Sequence, residues 1–456
     1  MMCVWNVTVS TSVFYEFPLA DQIKHLFEER NIAPLIDSYR ELTCNHHNLC
    51  DITNGEAFRK LKTEVCGRYD LTLLFNSDGI SPVNSSHAHL YPILATICEL
   101  PPKVRASYMI VCGIWYDISF APVMNDYFAF FTNALQKIMK EGIQWTHPIT
   151  KEKFNTVVTA PVMCADALAR ADILVQQRHM SKYGCNNCEL KTKRFLPEGA
   201  KKKIRRYLFQ EKSPQLRTHD RMNEQGLKAA AEGIPVKGVL GEAVVAKIPH
   251  FDRATSAPPE YMHCVLLGVV KQFLKLWFFS PGEWNIKDKM VEIDGFIVKN
   301  VKVTDQYVRI PQKIKDFKLW KASDLRVWLL FISLPALSGR LQGRYLQHWM
   351  LLVSAVYLLL KQEITPSDVS SAKIKLRIFV RDIAKLYRQD VYTYNVHNLL
   401  HLVEHVNRWG PLWAYSAFPF ESFNHILGDL APGPKHKGKQ IVNRIRLANG
   451  LEILRN

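Results

Sequence analysis

These 456 residues contain little that suits a membrane or a secretory route. The most apolar run, "WMLLVSAVYLLL" (349–360), is bounded by His348 and Lys361 and falls well short of the roughly 20 residues that cross a bilayer. The N-terminus lacks the charged-then-apolar layout of a signal peptide, with Glu16 and Asp21 arriving early. An intracellular chain with no membrane partner is expected. Internal repeats and long low-complexity tracts are also missing, which leaves an ordinary folded chain of two or three structural units. Acids are scarce beside bases: 42 Asp and Glu against 59 Lys and Arg, a net charge of +17. Such an excess attracts polyanions and would make nucleic-acid binding salt-sensitive, although a merely basic surface has the same composition. The ten cysteines are scattered, apart from Cys185 with Cys188 and the looser Cys44/Cys50 pair. In a cytosolic or nuclear setting a close pair suggests metal before disulfide.

What is present is an apolar fraction of 48%, enough to bury a sizeable core. Residues 1–66 read as mostly helical; "TCNHHNLC" (43–50) fits no familiar zinc spacing and reads as a polar loop. From Leu71 the pattern changes. "DLTLLFNSDG" (70–79), "HLYPILATICEL" (89–100) and "ASYMIVCGIWYD" (106–117) read as three strands, and "MNDYFAFFTNALQKIMKEG" (124–142) as a helix stopped by Gly142. "KFNTVVTAPVMCAD" (153–166) reads as a fourth strand. Strand, strand, strand, helix, strand, with acids closing the first and fourth strands, is the order of an RNase H-like core. The fold class is therefore α/β, with a mixed-sheet catalytic core interrupted by a large, mainly α-helical insertion. Four segments are expected. Residues 1–66 are the N-terminal helical part, and 67–190 the first part of the core. Residues 191–390 are a basic linker and the helical insertion, with two strand-like pieces in 290–310. Residues 391–456 complete the core.

Two constellations carry chemistry. Phosphodiester cleavage needs an activated nucleophilic oxygen and a stabilised leaving oxygen, and two Mg²⁺ ions about 4 Å apart supply both. Mg²⁺ prefers hard oxygen ligands, so a few carboxylates are required. Asp78 and Asp166 would lie side by side at strand ends, and Glu421 in "FPFESFNHIL" would come from a helix packed on the sheet. Each acid taken alone is better read as a turn or cap residue, Asp78 in its Asp-Gly turn above all; the ordered set is what points to catalysis. Asp172 rivals Asp166 but sits six residues into the following helix, and Asp117 competes at the third strand's end. The second constellation is "YGCNNCEL" with "HNLLHLVEH" (397–405). Cys185 and Cys188 can hold one ion from a single turn. His397 and His401, at i and i+4, would face the same way and complete a Cys₂His₂ set for structural Zn²⁺. His405 is rotated further round and reads as spare. A zinc clip here would pin the Glu421 segment to the sheet carrying Asp166 across the whole insertion.

At these residues the chain resembles the CACTA (En/Spm-type) DDE transposases of eukaryotic DNA transposons. The matching stretches are "LLFNSDGISPVNSSHAHLYPILATICELPP", "VVTAPVMCADALARADILVQQRHMSKYGCNNCEL", "PPEYMHCVLLGVVKQFL", "WKASDLRVWLLFISLPAL" and "YTYNVHNLLHLVEHVNRWGPLWAYSAFPFESFN". They run in family order from about residue 70 to 430. The resemblance implies a DDE triad on Asp78, Asp166 and Glu421, with Mg²⁺ as cofactor and Mn²⁺ as its substitute. Its C-x-x-C after the second acid and two histidines before the glutamate is similar to Transib elements and the catalytic subunit of the V(D)J recombinase. That layout implies structural zinc on Cys185, Cys188, His397 and His401. The family's Met-His block usually follows an Asp; here "APPEYMH" offers Glu260, and His263 reads as structural, capping or bridging near the insertion. The implied partners are double-stranded transposon-end and target DNA, bound in the nucleus by a homodimer or higher assembly. Full transposases of this kind carry a separate end-recognition module, and no N-terminal zinc-finger cluster is evident. A domesticated, catalytically inactive DNA- or chromatin-binding protein of the same fold is the alternative, and a stand-alone nuclease a third. Two basic runs suit phosphate contacts without base readout: Lys201, Lys202, Lys203, Arg205 and Arg206, and then Lys435, His436, Lys437 and Lys439. The first serves equally as a solvated loop or a nuclear-import signal. The second follows Glu421 closely, which favours DNA contact.

Overall fold

A computed structural model describes residues 12–43, 47–80, 89–117, 120–196, 201–301, 311–430 and 439–445. The fold is mixed α/β, built on a five-stranded mixed sheet. Its strands are β1 (Val13–Glu16), β2 (Leu71–Asn76), β3 (His89–Ile97), β4 (Ile110–Asp117) and, after a separate hairpin of β5 (Ile143–Thr146) and β6 (Lys153–Thr156), β7 (Val158–Cys164). Their order across the sheet is β1-β4-β3-β2-β7. β2, β3 and β4 form an antiparallel meander, and β7 lies parallel to β2 on its other side. β2 and, at the edge of the sheet, β7 are buried along their whole lengths, as expected where both faces are covered. Leu71, Leu73 and Phe75 join one apolar cluster with Phe128, Phe131 and Leu135 of the Met124–Glu141 helix. Leu74, Leu94 and Val162 join a second cluster on the opposite face, with Val265, Leu266 and Trp277.

That second cluster also contains Trp328, Trp349, Phe379 and Ile383, so the helical insertion shares one continuous core with the sheet. Its longest pair, Gly343–Leu359 and Pro366–Leu386, packs side by side. The second helix starts where the sequence places a start: Thr365 caps it, Pro366 occupies the first turn, and Asp368 bonds back to the Thr365 amide at 2.9 Å.

Four expectations change. β1 belongs to the sheet, although residues 1–66 read as mostly helical; it pairs with β4 from Val13↔Tyr116 to Glu16↔Gly113. The single strand expected over 153–166 is two, since β6 turns away to pair with β5. The strand-like stretch after 290 is instead the Met290–Asn300 helix, because Ile293 and Ile297, four apart, are the residues it buries; residues 302–310 lie outside the described residues. Finally, one described helical stretch, Met262–Phe279, is long and apolar enough to cross a membrane, contrary to the reading of the sequence. Its first half is π-helical, and 61% of it is buried inside the fold, where it forms the spine of the second cluster.

The two-stranded hairpin of β8 (Lys193–Phe195) and β9 (Ile204–Arg206) carries the first basic run.

Candidate active site

The parallel pairing of β2 with β7 sets Asn76 opposite Cys164. Asp78 and Asp166 each follow two residues later, so both acids leave the sheet at the same end, on neighbouring strands. Asp78 turns on an Asp-Gly corner, with the Gly79 amide donating to its Oδ1 at 2.8 Å. Gly79 is required by close approach: a Cβ there would stand 2.7 Å from the Tyr91 ring. Asp166 is the N-cap of the Ala167–Ile173 helix, its Oδ1 accepting from the Leu168 and Ala169 amides at 2.9 and 2.7 Å. Both acids line a cleft of about 520 Å³ with Tyr91, Asn125, Gln176 and Arg178.

Glu421 arrives from the first turn of the Phe418–Asp429 helix. Its carboxylate, that of Asp78 and the imidazole of His263 offer ligand atoms that all lie within 4.8 Å of one another. His263 Nε2 stands 3.9 Å from Glu421 Oε1. Burial, and then the negative charges of Asp166 and Glu421, push the Asp78 carboxyl up to about 7. Such crowding is what a divalent cation relieves, and the hard carboxylate oxygens suit one. Burial pushes the His263 imidazole down, but its hydrogen bond to Glu260 and the surrounding acids raise it to about 9 overall.

Glu260 is the organiser that reading the sequence undervalued. It is 1% exposed and accepts five hydrogen bonds. They come from the Met262 and His263 amides at 2.8 Å, His263 Nδ1 at 2.9 Å, the Ala417 amide at 2.9 Å and Ser416 Oγ at 3.0 Å. One carboxylate thus ties the start of the π-helical stretch to the start of the Glu421 helix. Burial opposes its charge, yet these donors hold the Glu260 carboxyl below its usual range. The expected structural, bridging role of His263 describes its Nδ1 side; its Nε2 faces the acids. The signal in the sequence was the Glu-x-x-His spacing of "EYMH" itself.

The competing acids have other partners, although Asp172 lines the same cleft. Asp172 makes a two-pronged ion pair with Arg178 at 2.9 and 2.7 Å. Asp117 is fully buried and accepts from the Phe120 amide at 2.8 Å.

The sulfur and imidazole set does assemble. Cys188 Sγ lies 3.3 Å from His397 Nε2, Cys185 Sγ 3.7 Å from His401 Nε2, and the two Nε2 atoms are 3.3 Å apart. A zinc ion with Zn–S of about 2.3 Å and Zn–N of about 2.05 Å in a tetrahedron needs N···N edges of about 3.3 Å and S···N edges of about 3.5 Å. The observed edges meet both requirements. All four residues are buried. Burial favours neutral His397, and burial of Cys185 is outweighed by Cys188 and the two imidazoles, which bring its thiol well below its usual range. The hydrogen bond to Cys185 and burial push the Cys188 thiol well above its own, so without an ion the pair carries one thiolate. Neutral imidazole and thiolate are the forms that bind a metal. One detail differs from the sequence reading. The helix is interrupted: Tyr394–Asn398 ends, a turn follows, and His401 caps Leu402–Trp409. His405 is not spare, since its Nε2 pairs with Asn187 Oδ1 at 2.8 Å inside the Cys185–Cys188 turn. Gly184 admits that turn: a Cβ would stand 2.6 Å from the Tyr207 hydroxyl.

Of the basic residues, Lys201, Lys202 and Lys203 are exposed at the β8–β9 hairpin. Arg205 bonds to Thr192 Oγ1 at 3.1 Å, and Arg206 to the Asp390 carbonyl at 2.6 Å, so these two also staple the hairpin to its surroundings. Lys439 is exposed on a short helical segment; Lys435, His436 and Lys437 lie outside the described residues.

The sequence matches no family model, and no curated protein is similar to it at a significant level.

Proposed function

We propose that this chain is a DDE-type DNA transposase with an RNase H-like catalytic core, as its likeness to the CACTA elements implies. The observation that carries the reading is the meeting of the strand-end acid Asp78 with the helix glutamate Glu421, 343 positions further along the chain. The second strand-end acid, Asp166, lines the adjoining cleft with Asp78 but stands outside their ligand group. The antiparallel meander with a parallel fourth strand beside its first member supports the same fold. Asp78 shares its cleft with Asp166 and its ligand group with Glu421, and feels the charge of both, so it would share cations with both. Mg²⁺ or Mn²⁺, when bound, supplies an activated water and stabilises the leaving oxygen. The chain's own part is to hold the carboxylates on rigid strand ends and to bring Glu421 to them through Glu260. The exposed Lys201–Lys203 run and Lys439 would contact backbone phosphates of double-stranded DNA. The zinc ligands would serve structure alone. Action in the nucleus, as a dimer, follows from this reading.

One observation favours a second reading. Asp166 spends Oδ1 on two cap bonds, which suits an inactive DNA-binding derivative whose second acid has become structural. Product analysis separates the two. DNA flanking the coding locus is incubated with the protein, Mn²⁺ and a target plasmid. Nicks whose 3′ ends join the target are expected. Nicks without joints would reduce the protein to a nuclease, and binding without nicks would leave only the derivative.

A further inference from the structure

Glu260 accepts the Nδ1 proton of His263 and thereby aims Nε2 at Asp78 and Glu421. A histidine that binds a metal usually has this partner, a carboxylate on the other ring nitrogen that fixes the tautomer and ring orientation and makes the imidazole a better donor. The ring is held besides by its place in the π-helical stretch, two residues after Tyr261 and 2.8 Å below Glu260 through its own amide. Two ligands each about 2.1 Å from one ion lie at most about 4.2 Å apart; the His263 Nε2 to Glu421 Oε1 separation is 3.9 Å. We infer that His263 is a metal ligand, and that Asp78, Glu421 and His263 Nε2 hold one divalent cation with Glu260 as the supporting carboxylate. This deepens the proposed function and rests on it only for the use to which the cation is put.

A nitrogen ligand changes which ion is favoured. Mg²⁺ takes oxygen almost exclusively, whereas Mn²⁺ accepts imidazole alongside carboxylate. The position should therefore prefer Mn²⁺ to Mg²⁺, and Asp166, outside the three-residue group, is left to complete an all-oxygen position beside it.

The test uses the full chain, supplied with one equivalent of Zn²⁺, which the thiolates of the Cys185/Cys188/His397/His401 set take in preference to the carboxylate–imidazole group, and then desalted. Mn²⁺ is added at one equivalent, and pulsed electron paramagnetic resonance reads directly bound ¹⁴N. A nitrogen coupling is expected in the wild-type protein and absent in His263→Ala. Mn²⁺ affinity should fall about 10- to 100-fold in His263→Ala and in Glu260→Gln, with Mg²⁺ affinity changed less. Mn²⁺ bound in an Asp78-dependent manner with no His263-dependent nitrogen coupling would overturn the inference in the wild-type protein itself, whatever the variants' folding. A clear coupling in a protein that never nicks DNA would uphold the inference and defeat the transposase reading instead.

Discussion

Oδ1 of Asp166 binds two helix amides, and five donors converge on Glu260. Both show why single residues are hard to judge from sequence: a cap and a metal ligand use the same carboxylate chemistry. Only position relative to Asp78 separates them. The strand-end acids were legible because apolar runs ended on them. The Glu260–His263 pair was visible as a spacing, but its convergence with Ala417 depends on a contact across 157 positions. His348 illustrates a purely structural histidine at the same scale. It is 3% exposed, bonds the Phe379 carbonyl through Nε2 at 2.8 Å, stacks on that ring, and has no partner for Nδ1. Burial pushes its imidazole down to about 4. Between the unfolded value of about 6.5 and 4, the unfolded chain takes up a proton that the folded chain refuses, so stability falls as pH falls. At pH 4.5 this amounts to about 2–3 kcal/mol. Urea unfolding of wild type and His348→Leu at pH 7 and 4.5 checks it. The variant is expected to be the weaker at pH 7 by about 1 kcal/mol, with the gap closing or reversing at pH 4.5; parallel losses would contradict the assignment.

Elements come together here through two clips rather than through local pairing. The Cys185/Cys188 and His397/His401 set joins a turn beyond the Ala167–Ile173 helix to the Tyr394–Asn398 and Leu402–Trp409 helices. Arg170, 2% exposed, ties the helix after Asp166 to Pro258 O at 2.7 Å and Tyr394 Oη at 2.8 Å. The Cys/His set thus connects to the helix capped by Asp166 through a second, polar strut. The ligand pairs were legible from spacing alone, whereas the break in the histidine helix and the role of His405 were not. "HNLLHLVEH" has unbroken helical periodicity, and nothing in it marks the turn over Leu399–His401. The Met290–Asn300 helix was misread for the opposite reason, since its β-branched residues suit a strand until two of them find a core four residues apart. Zinc analysis should give about one ion per chain. A Cys185→Ser/His401→Ala double variant should lose it and melt at least roughly 10 °C lower, since structural zinc contributes several kcal/mol to folding. Metal-free protein that melts with the wild type would remove the clip.

At the scale of the whole molecule, the insertion and the sheet share one apolar cluster, so the helices between Asp166 and Glu421 act as part of the scaffold that sets their separation. The α/β class and the order of its central elements could be read from hydrophobic runs. The extra edge strand β1 could not, because four residues carry too little pattern, and the Met262–Phe279 core helix was passed over because Lys271 and Lys275 interrupt it. The excess of basic charge suits a polyanionic partner without saying what would be done to it. That rests on the acids. The most direct measurement is Mn²⁺-dependent nicking of a supercoiled plasmid carrying the DNA that flanks the coding locus, by wild type and by Asp78→Asn, with DNA binding followed in parallel. Wild type should nick, and Asp78→Asn should bind equally well and fall to background. Equal nicking by both proteins would contradict the account.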